Sequence, residues 1–300
     1  MAFETKATIA SFGGKLLKLS HQSATTGTPM ALNLFLPPQA LSSSPSAKVP
    51  VLFYLSGLTC TPDNCTEKGF FQHGAAARGI ALVWPDTSPR GLDLPGEKDS
   101  WDFGEAASFY LDAAAEPWSR HYRMETYLTE ELPSLLWSAF PQLDSARVSI
   151  TGHSMGGHGA LTLYLRHPGL YKSCSAFAPI ANPSRCPWGQ KAFRGYLGGG
   201  ESLTEGEGGA VDEAWKEHDA TELVGRWDKG TPLNILVDVG TGDNFYKQGQ
   251  LLPENFEKAV KEAGLDGLTL RMQDGYDHSY FFMASFSDDH VAHAAKYLGV

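Results

Sequence analysis

The stretch Val148-Ser149-Ile150-Thr151-Gly152-His153-Ser154-Met155-Gly156-Gly157 decides how this chain of 300 residues is to be read. Residues 148–151 are mostly β-branched, and side chains of that kind favour an extended strand. Residues 157–166 read as a helix. Between them stands Gly-x-Ser-x-Gly. A strand-to-helix turn this tight forces its middle residue into strained backbone angles, and small residues two before and two after let neighbouring backbone pass. The strain lifts the serine hydroxyl clear of the sheet and points the helix N-terminus at developing negative charge. Ser154 is therefore the candidate nucleophile. An ordinary glycine-rich turn is the competing reading of the motif, and the flanking strand and helix argue against it.

Working outward, residues 49–55, 80–84, 173–178 and 233–239 are further runs of apolar residues. Continuous runs of this kind suit strands of a parallel sheet covered on both faces. Helical patterns at 124–138 and 254–263 lie between them. Strand alternating with helix implies an α/β fold, a mostly parallel central sheet with helices on both faces. Residues 15–22 and 30–36 alternate apolar and polar, as expected of an antiparallel pair at the sheet edge. Residues 39–48 read as a loop, and 198–209, rich in Gly and Glu, as a surface insertion. No repeat or linker divides the chain, so one domain over residues 1–300 is expected.

The formal charge of −10 disfavours nucleic acid and anionic membranes as partners, because the long-range field repels both. No apolar run reaches the roughly 18–20 residues of a membrane span. Residues 1–11 carry no secretory pattern, and the last residues carry no retention or peroxisomal tripeptide, so a cytoplasmic protein is expected. Cys60, Cys65, Cys174 and Cys186 then read as free thiols, and without a C-x-x-C pair no structural zinc site is expected.

A serine nucleophile needs a histidine base and a carboxylate that orients it. His158 and His167 lie on or just past the nucleophile helix. His290 and His293 fall in a C-terminal amphipathic segment, 281–297, where a solvated or half-buried helix face is expected rather than a metal site. His278 follows an apolar strand, 268–272, and a short loop. That places it beyond a strand's carboxyl end, where α/β sheets build their sites. Among Asp238, Asp243, Asp266, Asp274 and Asp277, Asp243 lies in the loop after strand 233–239 and is preferred, with Asp238 as the alternative. Two backbone N–H groups should hold the oxyanion: Met155, after the nucleophile, and Leu58, in the loop after strand 49–55.

The segments Leu55-Ser56-Gly57-Leu58-Thr59-Cys60-Thr61, Ser100-Trp101-Asp102-Phe103-Gly104, Tyr122-Arg123-Met124, Gly152-His153-Ser154-Met155-Gly156-Gly157-His158-Gly159-Ala160-Leu161, Cys186-Pro187-Trp188-Gly189, Gln250-Leu251-Leu252-Pro253 and Gly275-Tyr276-Asp277-His278-Ser279-Tyr280 together resemble the S-formylglutathione hydrolase (esterase D) family. They run in order along nearly the whole chain. The resemblance implies the α/β-hydrolase fold and hydrolysis of S-formylglutathione to formate and glutathione, the thioester step of formaldehyde detoxification. By position it puts the triad on Ser154, Asp243 and His278, and it implies no metal or organic cofactor. A small-molecule substrate is the expected partner, and a homodimer is an open option. Trp101, Trp188 and Phe103 are candidates to wall the pocket. Lys191, Arg194 and Lys247, read in loops after strands, are candidates to meet the glutathione carboxylates. Cys60 is a candidate pocket thiol whose modification blocks the site. A broad carboxylesterase and an acyltransferase use the same triad, and a non-catalytic binding protein on this fold is opposed by the presence of all three triad residues.

Overall fold

The computed structural model describes residues 3–42, 48–200 and 210–300. Its centre is a nine-stranded sheet: β1 (Glu4–Ser11), β2 (Gly14–Gln22), β3 (Pro29–Leu36), β4 (Val49–Leu55), β5 (Ala81–Pro85), β6 (Leu143–His153), β7 (Cys174–Phe177), β8 (Ile235–Gly240) and β9 (Leu268–Gln273). The spatial order is β1-β2-β3-β5-β4-β6-β7-β8-β9. From β5 to β9 all neighbours are parallel, whereas β1, β2 and β3 add antiparallel strands on the β5 side. Every residue of β4 is buried, as its unbroken apolar sequence requires of a strand covered on both faces.

The edge differs from expectation. β2 and β3 do pair antiparallel, but β1 lies outside them. Its sequence, ETKATIAS, is largely exposed and has one large apolar residue, Ile9, so it carries no strand periodicity to read. The helices Phe71–Arg78 and Tyr280–Leu298 pack together over one face, while Met155–Arg166 lies against β4, β6 and β7 on the other. The helical pattern at 124–138 is interrupted: a wide turn over Tyr127–Glu131 precedes Leu132–Ala139. Pro133 has no N–H to return to the previous turn. Residues 43–47 and 201–209, the cores of the two expected surface loops, lie outside the described residues.

The chain leaves β4 for β5 on one side and returns to β6 on the other, so the strand order reverses at β4. A crevice opens outside the carboxyl ends of strands at such a point. The loop after β4 and the turn after β6 meet there.

Candidate active site

Ser154 sits between β6 and the helix Met155–Arg166 with φ 57° and ψ −121°, a conformation that costs a non-glycine residue about 1–3 kcal/mol. The flanking glycines make it attainable. A Cβ on Gly156 would run into the carbonyl of Leu55, and one on Gly152 into that of Gly156. The turn is held by Ser154 N–H donating to Phe177 O at 2.9 Å and by Ile180 N–H donating to Ser154 O at 3.3 Å. All of the helix behind it except Arg166 is buried. That explains a sequence apolar nearly all round rather than on one stripe.

Asp243 follows β8, and His278 follows β9. Hydrogen bonds lace their loops together: Thr241 N–H to Gln273 O at 2.9 Å, Gly242 N–H to Tyr276 O at 2.8 Å and Gly275 N–H to Thr241 Oγ1 at 2.8 Å. The lacing brings His278 Nδ1 to 2.5 Å from Asp243 Oδ2. The other carboxylate oxygen of the fully buried Asp243 accepts from Phe245 N–H at 2.7 Å and Tyr246 N–H at 3.3 Å, capping the short turn Asn244–Lys247. One oxygen anchors the carboxylate and the other holds the imidazole. With Nδ1–H donated to Asp243, the lone pair of His278 is on Nε2.

Ser154 and His278 line one cavity of about 170 Å³ with Gly57, Leu58, Thr59, Trp101, His153, Trp188 and Phe245. In the loop after β4, Thr59 N–H donates to Ala106 O at 3.1 Å, Cys60 N–H to Gly57 O at 3.3 Å and Gly57 N–H to His153 Nε2 at 3.2 Å. Among the described residues the Leu58 N–H has no acceptor. Met155 N–H is the first of its helix, where no intrahelical carbonyl is available.

Trp101 and Trp188 meet edge to face at 5.4 Å in the wall of this cavity. Phe103 does not line it and instead stacks on Tyr196 at 4.5 Å. Cys60 lies outside the lining. It is buried behind the loop with Sγ 3.7 Å from Tyr280 Oη, and burial pushes its thiol pKa up, away from the reactive thiolate. Lys191 and Arg194 are not in a loop but on the helix Pro187–Leu197. Lys191 is paired with Asp102, and Arg194 lies over the Trp215 ring. Lys247 likewise is not in a loop but ends the short helix Asn244–Lys247, and it donates to Gly242 O at 3.2 Å; none of the three cations lines the cavity.

Asp238, the alternative acid, is engaged elsewhere. It accepts from Arg271 Nε at 2.7 Å and Gln273 Nε2 at 2.9 Å, and His290 Nε2 lies 2.9 Å away. Burial opposes its charge, but the hydrogen bonds from His290 and Arg271 outweigh that and hold its pKa down at about 2. His290 is thus fully buried beneath β8 rather than on a solvated helix face. Gly57, Thr59, His153 and Phe245 also line the cavity; no sequence motif singles them out as lining residues, although each sits within two residues of Leu58, Ser154 or Asp243.

A serine on a strained strand-to-helix turn at the switch point, with a His–Asp pair on loops after later parallel strands, defines the serine-esterase class of α/β-hydrolases. The family model for esterases (Esterase) matches residues 23–293. The chain is 49% identical to the S-formylglutathione hydrolase of Rattus norvegicus over 287 residues, 96% of this chain and 95% of the rat protein. To that of Arabidopsis thaliana it is 50% identical, with the same shares of 96% and 95%. The solved S-formylglutathione hydrolase of Agrobacterium tumefaciens superimposes with a TM-score of 0.88 at 45% identity, covering 100% of both chains. The chain belongs to the S-formylglutathione hydrolase family of esterases.

Proposed function

We propose that this protein hydrolyses S-formylglutathione to formate and glutathione with Ser154 as nucleophile, His278 as base and Asp243 as its orienting acid. The observation that carries this reading is His278, held by the buried Asp243 and lining the same small cavity as Ser154, in a chain about half identical to proteins of that name. His278 Nε2 takes the Ser154 proton as Oγ attacks the formyl carbon. The oxyanion is held by the N–H groups of Leu58 and Met155. The C–S bond breaks, and glutathione leaves with the proton that His278 returns. Water then attacks the formyl-enzyme, giving its proton to His278, and formate leaves as Ser154 recovers its hydrogen. Asp243 keeps Nδ1 protonated throughout and stabilises the imidazolium.

A cavity of about 170 Å³ suits a formyl or similarly small acyl group, leaving the glutathione body at the mouth beside the half-exposed Trp101. The four cysteines are unpaired and buried, which fits work in a reducing cytoplasm on the thioester formed from formaldehyde and glutathione. The deciding experiment compares kcat/KM for S-formylglutathione and for p-nitrophenyl acetate, with Ser154→Ala as control. The reading expects the thioester to win by about a hundredfold or more and the variant to lose both activities. Equal or better hydrolysis of the simple ester would instead make this chain a general carboxylesterase.

A further inference from the structure

The residue before Ser154 takes no part in the reaction proposed above, yet it is built into the site. His153 ends β6, is buried and lines the cavity. Both ring nitrogens have partners. Gly57 N–H donates to Nε2 at 3.2 Å. Tyr54 Oη lies 2.9 Å from Nδ1, and 3.4 Å from Met283 Sδ. A nitrogen that accepts an N–H must keep its lone pair, so the ring hydrogen is on Nδ1 and goes to Tyr54 Oη, whose own hydrogen points to the Met283 sulfur. Burial, with His278 nearby adding to it, lowers the His153 pKa to about 3 and keeps the ring a neutral acceptor.

Gly57 is the residue before Leu58. A Cβ on Gly57 would stand 2.7 Å from His153 Nε2 and 3.1 Å from Ser154 Cβ, so the loop backbone passes directly beside both. His153 anchors the loop at Gly57, and Ala106 O anchors it at Thr59. The N–H between those anchors is that of Leu58, unclaimed by any acceptor among the described residues. Without the first anchor, the Gly57–Leu58 peptide keeps the long bond from Cys60 N–H to Gly57 O at 3.3 Å, and glycine itself opposes no rotation.

We propose that His153 is a positioning residue of the oxyanion hole: by accepting the Gly57 N–H it holds the loop so that the Leu58 N–H faces the tetrahedral intermediate on Ser154. This rests on the reaction proposed above. The hole binds charge that exists only in the transition state, so its misalignment lowers kcat rather than raising KM.

The test uses the full-length protein with His153→Leu, which removes the acceptor, and His153→Gln, which offers an amide oxygen near the Nε2 position. His153→Leu should lose about 10–100-fold in kcat with KM within about threefold, somewhat less than deletion of a hole donor. The midpoints of its kcat/KM pH profile should not move, because His278 and Asp243 are untouched. Its affinity for a trifluoromethyl ketone, which forms a tetrahedral oxyanion on serine, should weaken by the same factor, and His153→Gln should recover most of both losses. A folded His153→Leu enzyme with unchanged kcat, or one that loses kcat while binding the ketone normally, overturns the proposal. If His153→Leu does not fold, nitrogen-15 NMR of the unaltered protein decides: a hydrogen on Nδ1 supports the proposal and a hydrogen on Nε2 overturns it. Ser154→Ala separates the two levels, since hydrolysis surviving in that variant sinks the nucleophile assignment whatever the tautomer of His153.

Discussion

Two aspartates five positions apart have opposite surroundings, and each sets a prediction. Asp243 holds His278, so Asp243→Asn should leave the fold intact and reduce kcat by about 10⁴-fold through the wrong imidazole tautomer, measured in steady-state kinetics with thermal melts as the control. Asp238 is tied to Arg271, Gln273 and His290. Asp238→Ala should change kcat little but lower unfolding free energy by about 3 kcal/mol in urea titration, the low end for a buried pair, because the Arg271 side chain is 32% exposed. If the two variants exchanged these phenotypes, the assignment of the acid would be reversed. From sequence, Asp238 falls inside strand 233–239 and Asp243 in the loop after it. What separates them is alternation: Asp238 points from within β8 to partners on β9 and the C-terminal helix, whereas Asp243 lies past the strand's end.

At the scale of elements, the site is the meeting of a turn and three loops at the carboxyl ends of β4, β6, β8 and β9. The turn tolerates no added atom where it touches β4. In Gly156→Ala the new methyl meets the Leu55 carbonyl, so the helix Met155–Arg166 must retreat and carry Ser154 with it. A displacement near 1 Å should cost about 100-fold in kcat/KM, and circular dichroism should show helix content retained. The turn, its strand and its helix were legible because the motif, the β-branched run and the apolar helix are contiguous. The helix Pro187–Leu197 was not: Pro187 and Gly189 at its start are poor helix formers, and its place is set by Trp188 and Phe193 packing into the core. That misreading put Lys191 and Arg194 in loops and suggested a substrate role that their actual partners, Asp102 and the Trp215 ring, do not support.

Across the whole molecule, buried and half-buried histidines govern the response to acid. Burial is the first cause of the lowered pKa in each case: His153 and His158 to about 3, His218 and His293 to about 4. Unfolded, each returns to an ordinary value of about 6.5. The unfolded chain therefore binds more protons between about pH 4 and 6.5, and stability must rise with pH through that window. Asp219 acts oppositely: burial raises its pKa to about 6, so it removes stability as pH climbs from about 4 to 6. Burial lowers His21 and His290 as well, so six imidazoles against one carboxyl leave a net gain. Urea midpoints at pH 4.5, 5.5 and 7 should increase in that order, and a flat series would show that these imidazoles are not buried neutral in solution.

The sequence alone determined where the candidate nucleophile stands, because its turn is local: strand, strained serine and helix adjoin along the chain. It also determined the parallel core, since strands covered on both faces must be apolar throughout. Tertiary structure decided the rest. The sequence prefers Asp243 to Asp238 by its loop position, but only the lacing of two loops brought it to His278, 35 positions away, and His153 became a clamp on Gly57 only when β4 and β6 came side by side. The edge strand β1 was invisible because an exposed strand is specified by its partner's free backbone groups, not by the pattern of its own side chains.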